Sequence, residues 1–256
     1  MAKKDRKTLK KYFEAGRLPS SAQFADLIDS TLNVVEEGFD KTAEDGFKVS
    51  QLDHTGKLVS FYENIDVRRP LWYLHIDMAS GGLIFGNQAN PNVLALDTEA
   101  RRDRADSESE IGVRVGINKP AAEYELDVDG TVAARGRIGS RGEDVPADGK
   151  WHAITKALDG CQALEIVAGV GKKGSGKYAL VHAMALKTFD AKGKITYTQA
   201  HYGSRCNRIK LRWKKKARRA TLQLKTRCCY GEGVFVRYYL TRLWFDPFMQ
   251  ACQANQ

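Results

Sequence analysis

GVGKKGSGKYAL, residues 169–180, decides how this chain is read. From Gly171 it spells G-x-x-x-x-G-K, the opening of a phosphate-binding P-loop. Such a loop wraps phosphates in backbone N–H groups, sets a lysine on the β- and γ-phosphates and then needs a Ser or Thr hydroxyl for Mg²⁺. Lys177 fills the lysine position, but Tyr178 stands where the short hydroxyl belongs, and a phenol oxygen lies too far from the backbone to replace it. A P-loop also opens a helix whose dipole faces the phosphates. Here Tyr178, Leu180, His182, Met184 and Leu186 alternate with Ala179, Val181, Ala183 and Ala185, the period of a strand. The run YYLTRLWFD, ending at Asp246, is basic and aromatic and reads as a last strand, not as a metal-binding one. The stretch is therefore expected to be a β-hairpin whose exposed loop carries Lys172, Lys173 and Lys177.

Outward from that hairpin, the pattern stays β. ALEIVAGV (163–170), YALVHAMALKTF (178–189), KITYTQAHYG (194–203), RIKLRWK (208–214), ATLQLKT (220–226) and VFVRYYLTRLWF (234–245) are short alternating runs separated by turns. With Trp151 before them, they predict a C-terminal β-sandwich over residues 141–256. Upstream, residues 47–140 are β-rich. PLWYLHIDMASGGLIFGNQANPNVLALDTEA alternates around Gly81-Gly82 and Asn90-Pro91 turns, and ARRDRADSESE (100–110) is charged and aperiodic, expected as an exposed link. In EYELDVDGTVAARG, Tyr124, Leu126 and Val128 share one face of a strand, Asp129-Gly130 turns, and Val132 is expected to begin a return strand. So short a segment is marginal as an isolated hairpin and makes more sense wound around identical copies.

Within an N-terminal segment of residues 1–46, residues 8–38 read as a helical hairpin that Gly38 ends. Leu9, Tyr12 and Phe13 form a short stripe ending at Gly16. Pro19 and Ser20 or Ser21 restart a helix in which Phe24, Leu27, Ile28, Leu32 and Val35 recur at spacings of three and four. The stripe is too thin for a core of its own. It caps the following domain, or it packs on a copy or on a larger body.

Charge and cysteines bound the function. The net charge is +10, and residues 191–231 carry thirteen Lys or Arg and no Asp or Glu. Within this block Ile209, Leu211 and Trp213 alternate with Arg208, Lys210, Arg212 and Lys214, which predicts a second hairpin with an apolar inner face and a cationic outer face and tip. Two outcomes fit: a face that only keeps the chain solvated, or contact with an anionic polymer such as lipopolysaccharide phosphate, an acidic glycan or nucleic acid. Aromatics interleaved on the cationic face would favour nucleic-acid stacking, and Trp213 falls on the other side. Five cysteines without a C-x-x-C pair match neither a disulfide framework nor a zinc site, and are expected as thiols in a reducing compartment. His152, His182 and His201 come from separate strands without metal-ligand spacing. No G-x-S-x-G elbow occurs, and most of the carboxylates past residue 140 sit at turns. No enzyme and no cofactor are expected. The N-terminus lacks the apolar core of a secretory signal, and no apolar run is long enough for a membrane helix.

Two stretches carry a resemblance. LKKYFEAGRLPSSAQFADLIDSTLN (9–33) resembles the N-terminal segment of fibre or adhesin-like components of phage tails and contractile injection systems. VGINKPAAEYELDVDGTVAARG (115–136) is similar to the V-G-I…L-D-V-x-G repeat of trimeric tail fibres, with a shorter middle carrying Ala121-Ala122. GSGKYALVHAMALKTF and QAHYGSRCNRIKLRWK look like the globular heads that follow this repeat. The resemblance implies a homotrimer with a helical base, an intertwined β-rich shaft and three β heads, serving as a structural or receptor-binding part of a particle assembled in the cytoplasm and released by lysis. It implies particle attachment through Phe24, Leu27 and Ile28, with other subunits of the particle as partners. No self-cleaving chaperone domain of the kind some fibres carry is recognisable, so trimerisation is expected to be intrinsic or assisted. The expected ligand surface is Lys172, Lys173, Lys177, Arg205 and Arg208 with the tip residues Lys214, Lys215, Lys216, Arg218 and Arg219, facing an anionic cell-surface glycan or lipopolysaccharide. The alternative is a cytoplasmic nucleic-acid-binding β protein using the basic 205–227 block.

Overall fold

A computed structural model describes residues 4–31, 38–51, 56–64, 67–100, 111–189 and 193–253. The protein is mainly β, with two short α-helices among the described residues. It divides into two compact units, residues 1–133 and 134–256.

The first unit opens with α1 (Arg6–Tyr12) and α2 (Ser21–Asp29). Asp5 caps α1, accepting from the N–H groups of Lys7 and Thr8. Ser20 and Gln23 form a reciprocal capping box on α2. Gly16, at φ +81°, turns the chain between them. The helices meet through an edge-on Phe13–Phe24 contact at 5.4 Å and a Tyr12 hydroxyl donating to Asp26 at 3.2 Å. α2 stops at Asp29 with Ser30 as its C-cap; the continuation of the stripe to Leu32 and Val35 lies outside the described residues. Neither helix buries a residue.

A small hairpin follows, β1 (Phe39–Thr42) with β2 (Gly46–Val49). Then comes a six-stranded sheet in sequence order: β3 (Lys57–Phe61), β4 (Trp72–Ile76), β5 (Leu83–Asn87), β6 (Leu94–Ala100), β7 (Ile111–Ile117) and β8 (Leu126–Val128). The charged link at 101–110 lies outside the described residues. The first five strands run antiparallel, whereas β8 lies parallel to β7. That pairing corrects the expected hairpin: after the Asp129-Gly130 bend no return strand forms at Val132, and no strand occurs again until Ser140. Asp127 explains the parallel choice. One of its oxygens accepts from Lys119 Nζ at 2.8 Å and from the Glu123 N–H at 2.9 Å, so the chain between β7 and β8 folds back as a tight loop that delivers β8 in the parallel sense. Tyr124 then lies outside the strand.

The Asp127 carboxyl sits below its ordinary value of 3.8, chiefly through the hydrogen bond from Lys119 and then that from Glu123. A carboxyl lowered by folding contributes stability that is present above its ordinary value and is lost as pH falls through the lowered one. Acid should therefore weaken the first unit below pH 3.8. The measurement is hydrogen exchange at the β7–β8 amides as pH falls. Asp127→Asn should exchange faster than wild type at neutral pH and lose less on acidification.

The second unit holds β9 (Ser140–Arg141), β10 (Val145–Pro146), β11 (His152–Ala153), β12 (Gln162–Lys172), β13 (Lys177–Lys187), β14 (Lys194–Tyr202), β15 (Ile209–Lys216), β16 (Arg219–Thr226) and β17 (Phe235–Arg242). Each run from ALEIVAGV onward holds one strand. The larger sheet has the order β10-β17-β12-β13-β14, with β9 also on β17; the smaller is β11-β16-β15. All pairings are antiparallel. One core joins the two sheets. Leu164, Ile166, Ala168 and Val170 of β12 and Val181, Ala183 and Ala185 of β13 meet Ile209, Leu222 and Leu224 of the smaller sheet. The period-2 burial of β12 and β13 is the direct product of their alternating sequences.

GVGKKGSGKYAL is a hairpin. β12 and β13 pair without interruption from Gln162↔Lys187 to Lys172↔Lys177, and the loop turns through Gly174 (φ +78°) and Gly176 (φ +64°). Tyr178 also has a structural place. Its ring lies over Gly171, where a Cβ would collide with it, and faces Tyr202 at 6.4 Å. Glycine and tyrosine here serve cross-strand packing.

Candidate polyanion-binding face

The cations singled out in the sequence do not form one surface. They divide between the two ends of the second unit. At one end, the β12–β13 loop carries Lys172, Lys173 and Lys177. Gly203, just past β14, backs onto the Gly176 carbonyl, which brings the 3-10 turn Arg205–Asn207 and then Arg208 to the same end. Lys172, Lys173 and Arg205 are exposed, and Lys177 and Arg208 half-buried. Asn207 is buried and donates to the Tyr202 carbonyl at 2.7 Å, holding the turn against β14.

At the other end is the tip of the β15–β16 hairpin. Ala217, at φ +52°, and Arg218 make the turn between Lys216 and Arg219. Trp213 fixes where this tip sits: its indole N–H donates to the Leu186 carbonyl at 3.1 Å, near the far end of β13. Strands advance ~3.3 Å per residue, so roughly the length of β13, about 30 Å, separates the tip from Lys177. Lys214, Lys215, Lys216, Arg218 and Arg219 are all exposed, with Arg219 Nε 3.9 Å from Asp159. The alternation of β15 turns Lys214 and Lys216 outward, while Lys215 lines a cleft of about 410 Å³ with Trp213 and Lys187 on the other side.

Between the ends, the outer face of the smaller sheet carries the alternating cations read from the sequence and, beside them, an aromatic that periodicity did not place there. Lys210, Arg212, Lys214 and Lys216 project from β15; Lys225 and Arg219 stand on the same face of β16. Trp151, immediately before β11, reaches across this face. The Arg212 guanidinium lies 4.1 Å and the Lys225 ammonium 5.0 Å from its ring centroids. Arg212 is oriented by its Nε–H bond to Gln223 Oε1 at 2.9 Å. A cation held over an indole is attracted by the ring quadrupole and keeps its other N–H groups for an anion. Trp151 is beyond the reach of sequence periodicity because it lies outside the hairpin. It joins this face only because His152↔Leu224 and Ala153↔Gln223 pair β11 with β16.

The histidines lie apart. His152 contacts Asp148 at 2.8 Å, and His182 contacts Glu165 at 2.9 Å, where Arg137 also binds at 2.7 Å. His152 holds the Asp148 carboxyl below its ordinary value. Among the described residues, no group of three His, Cys, Asp or Glu could hold a metal ion, and no helix is long and apolar enough to cross a membrane. No protein-family model matches the chain, and no curated protein matches it.

Of the attachment residues, Phe24 packs on Phe13 yet stays half-exposed, Leu27 is half-buried, and Ile28 is 67% exposed. α2 therefore presents an apolar side.

Proposed function

We propose that the chain is a structural, surface-binding component of a phage-tail-like particle and works as a homotrimer. Residues 1–46 attach it to the particle through the Phe24, Leu27 and Ile28 side of α2. Residues 47–140 form a β-rich shaft, and residues 141–256 form a head. The head meets an anionic cell-surface glycan or lipopolysaccharide through its cationic ends and the Trp151–Arg212–Lys225 face. The particle is assembled inside the producing cell and released from it.

One observation carries this reading. From Leu126 to Ile138 the chain is short of partners for its apolar side chains: Leu126 is 62% exposed, Val132 67% and Ile138 70%, and no strand forms between Val128 and Ser140. Open apolar side chains on an extended backbone are costly in water and are covered when identical copies wind together. The solution mass tests this. A species of about 86 kDa, three times the 28.6 kDa chain, is expected, and replacing Val132 and Ile138 with Ser should dissociate it. A wild-type monomer at micromolar concentration would overturn the reading.

One observation favours nucleic-acid binding as a second reading: Trp151 places an aromatic ring on the cationic face. That reading predicts retention on single-stranded DNA or RNA that falls steeply with salt and falls further in Trp151→Ala.

A further inference from the structure

Cys206 and Cys228 flank the root of the cationic hairpin. The turn Arg205–Asn207 immediately precedes β15, and Cys228 follows β16. Past the last paired residues, Ile209↔Thr226, the two chains stay together through the Arg227 N–H bond to the Arg208 carbonyl at 2.8 Å. This brings the Cys228 sulfur 2.9 Å from the Cys206 carbonyl oxygen and 3.5 Å from Asn207 Oδ1. Asn207 is fixed from both sides, by Tyr202 and by the Tyr230 hydroxyl donating to its carbonyl. Both cysteines are partly exposed, whereas Cys161 is buried in the core.

We propose that Cys206 and Cys228 are a redox-active dithiol that closes into a disulfide on meeting a small-molecule disulfide, stapling the root of the β15–β16 hairpin. The proposal is independent of the fibre reading.

The two thiols are unequal. Hydrogen bonding from the Cys228 side chain is the first influence holding the Cys206 thiol below its ordinary value, and Lys177 and Arg227 act in the same direction. Burial is the first influence on Cys228 and pushes it up to about 11. Cys206 is thus the better thiolate and the attacking group, because the thiolate is the nucleophile in exchange. Its sulfur attacks one sulfur of oxidised glutathione, the S–S bond breaks, and one glutathione thiolate leaves. Cys228 then gives its proton to solvent and attacks Cys206 Sγ, expelling the second glutathione thiolate. Two protein thiols and one glutathione disulfide become one protein disulfide and two glutathione thiols.

The test incubates the full chain with oxidised glutathione and maps the products by peptide mass spectrometry under non-reducing conditions. The expected product is a peptide pair linked through Cys206 and Cys228, with accessible thiols in the unfolded chain falling from five to three per molecule. Cys206→Ser and Cys228→Ser should each abolish the link. Cys229→Ser and Cys252→Ser should leave the link intact. A stable glutathione adduct on Cys206, a Cys228–Cys229 bond, or links only between molecules would each overturn the proposal.

Discussion

Replacing Gly142 with Ala should destabilise the second unit by about 2–4 kcal/mol, the range for overpacking or for losing a large buried side chain from a core. Gly142 follows β9 and donates its N–H to the Tyr238 carbonyl. The Tyr238 ring lies directly on it, so that a Cβ at 142 would occupy the space of Tyr238 Cζ and Oη. Tyr238 cannot move aside cheaply. It is 5% exposed, belongs to the core that joins the two sheets, and its hydroxyl donates to the Ile154 carbonyl at 3.2 Å. Burial raises its phenol above the ordinary value, so the hydroxyl stays protonated and remains a donor at neutral pH. Chemical denaturation followed by tryptophan fluorescence measures the loss. Tyr238→Phe separates packing from hydrogen bonding: it keeps the ring and should cost only about 1 kcal/mol. Equal losses in the two variants would show that the ring's contact with Gly142 is not what holds the sheets.

Changing Lys214, Lys215, Lys216, Arg218 and Arg219 to Gln should reduce binding to a long polyanion such as heparin about a hundredfold at moderate salt. The salt dependence should fall with it, since each lost anion contact removes about 0.7–0.9 from the logarithmic slope. The structure adds a sharper expectation. Lys172, Lys173 and Lys177 lie at the opposite end of β13, so their replacement should add to the tip variant within about 0.5 kcal/mol, as distant sites do. Arg212→Ala and Trp151→Ala should not add, because the two side chains are stacked. Salt-titrated binding of single and combined variants reads all of this. Strong coupling between the two ends, or an unaltered slope in the tip variant, would sink the cationic-surface reading.

Much of the fold was legible along the chain, for a physical reason. Where a strand has one face on a core, its side chains must alternate. The runs from Ala163 to Phe245 say so plainly, and the same alternation rules out a P-loop helix after Lys177. Helix starts were legible too, because Ser20 and Gln23 satisfy backbone donors locally. Legibility failed at Leu126–Val128. Turn chemistry at Asp129-Gly130 favours a hairpin, but the side chain of Asp127 binds Lys119 and Glu123 and carries the strand into a parallel pairing instead. A side chain that captures groups up to eight residues upstream leaves no periodic trace.

The candidate surface divides along the same line. Sequence alone determined that the second unit is β, that GVGKKGSGKYAL turns in a hairpin, and that a block with thirteen cations and no carboxylate must present much of that charge to solvent, since unpaired charges are too costly to bury. Only the tertiary structure decided where the charge sits. It put the loop lysines and the hairpin tip at opposite ends, joined Trp151 to Arg212 and Lys225 through the β11–β16 pairing, and set Cys228 against Cys206. Charge and periodicity are properties of neighbours in the chain. Register between strands some seventy residues apart is fixed only when the whole core closes.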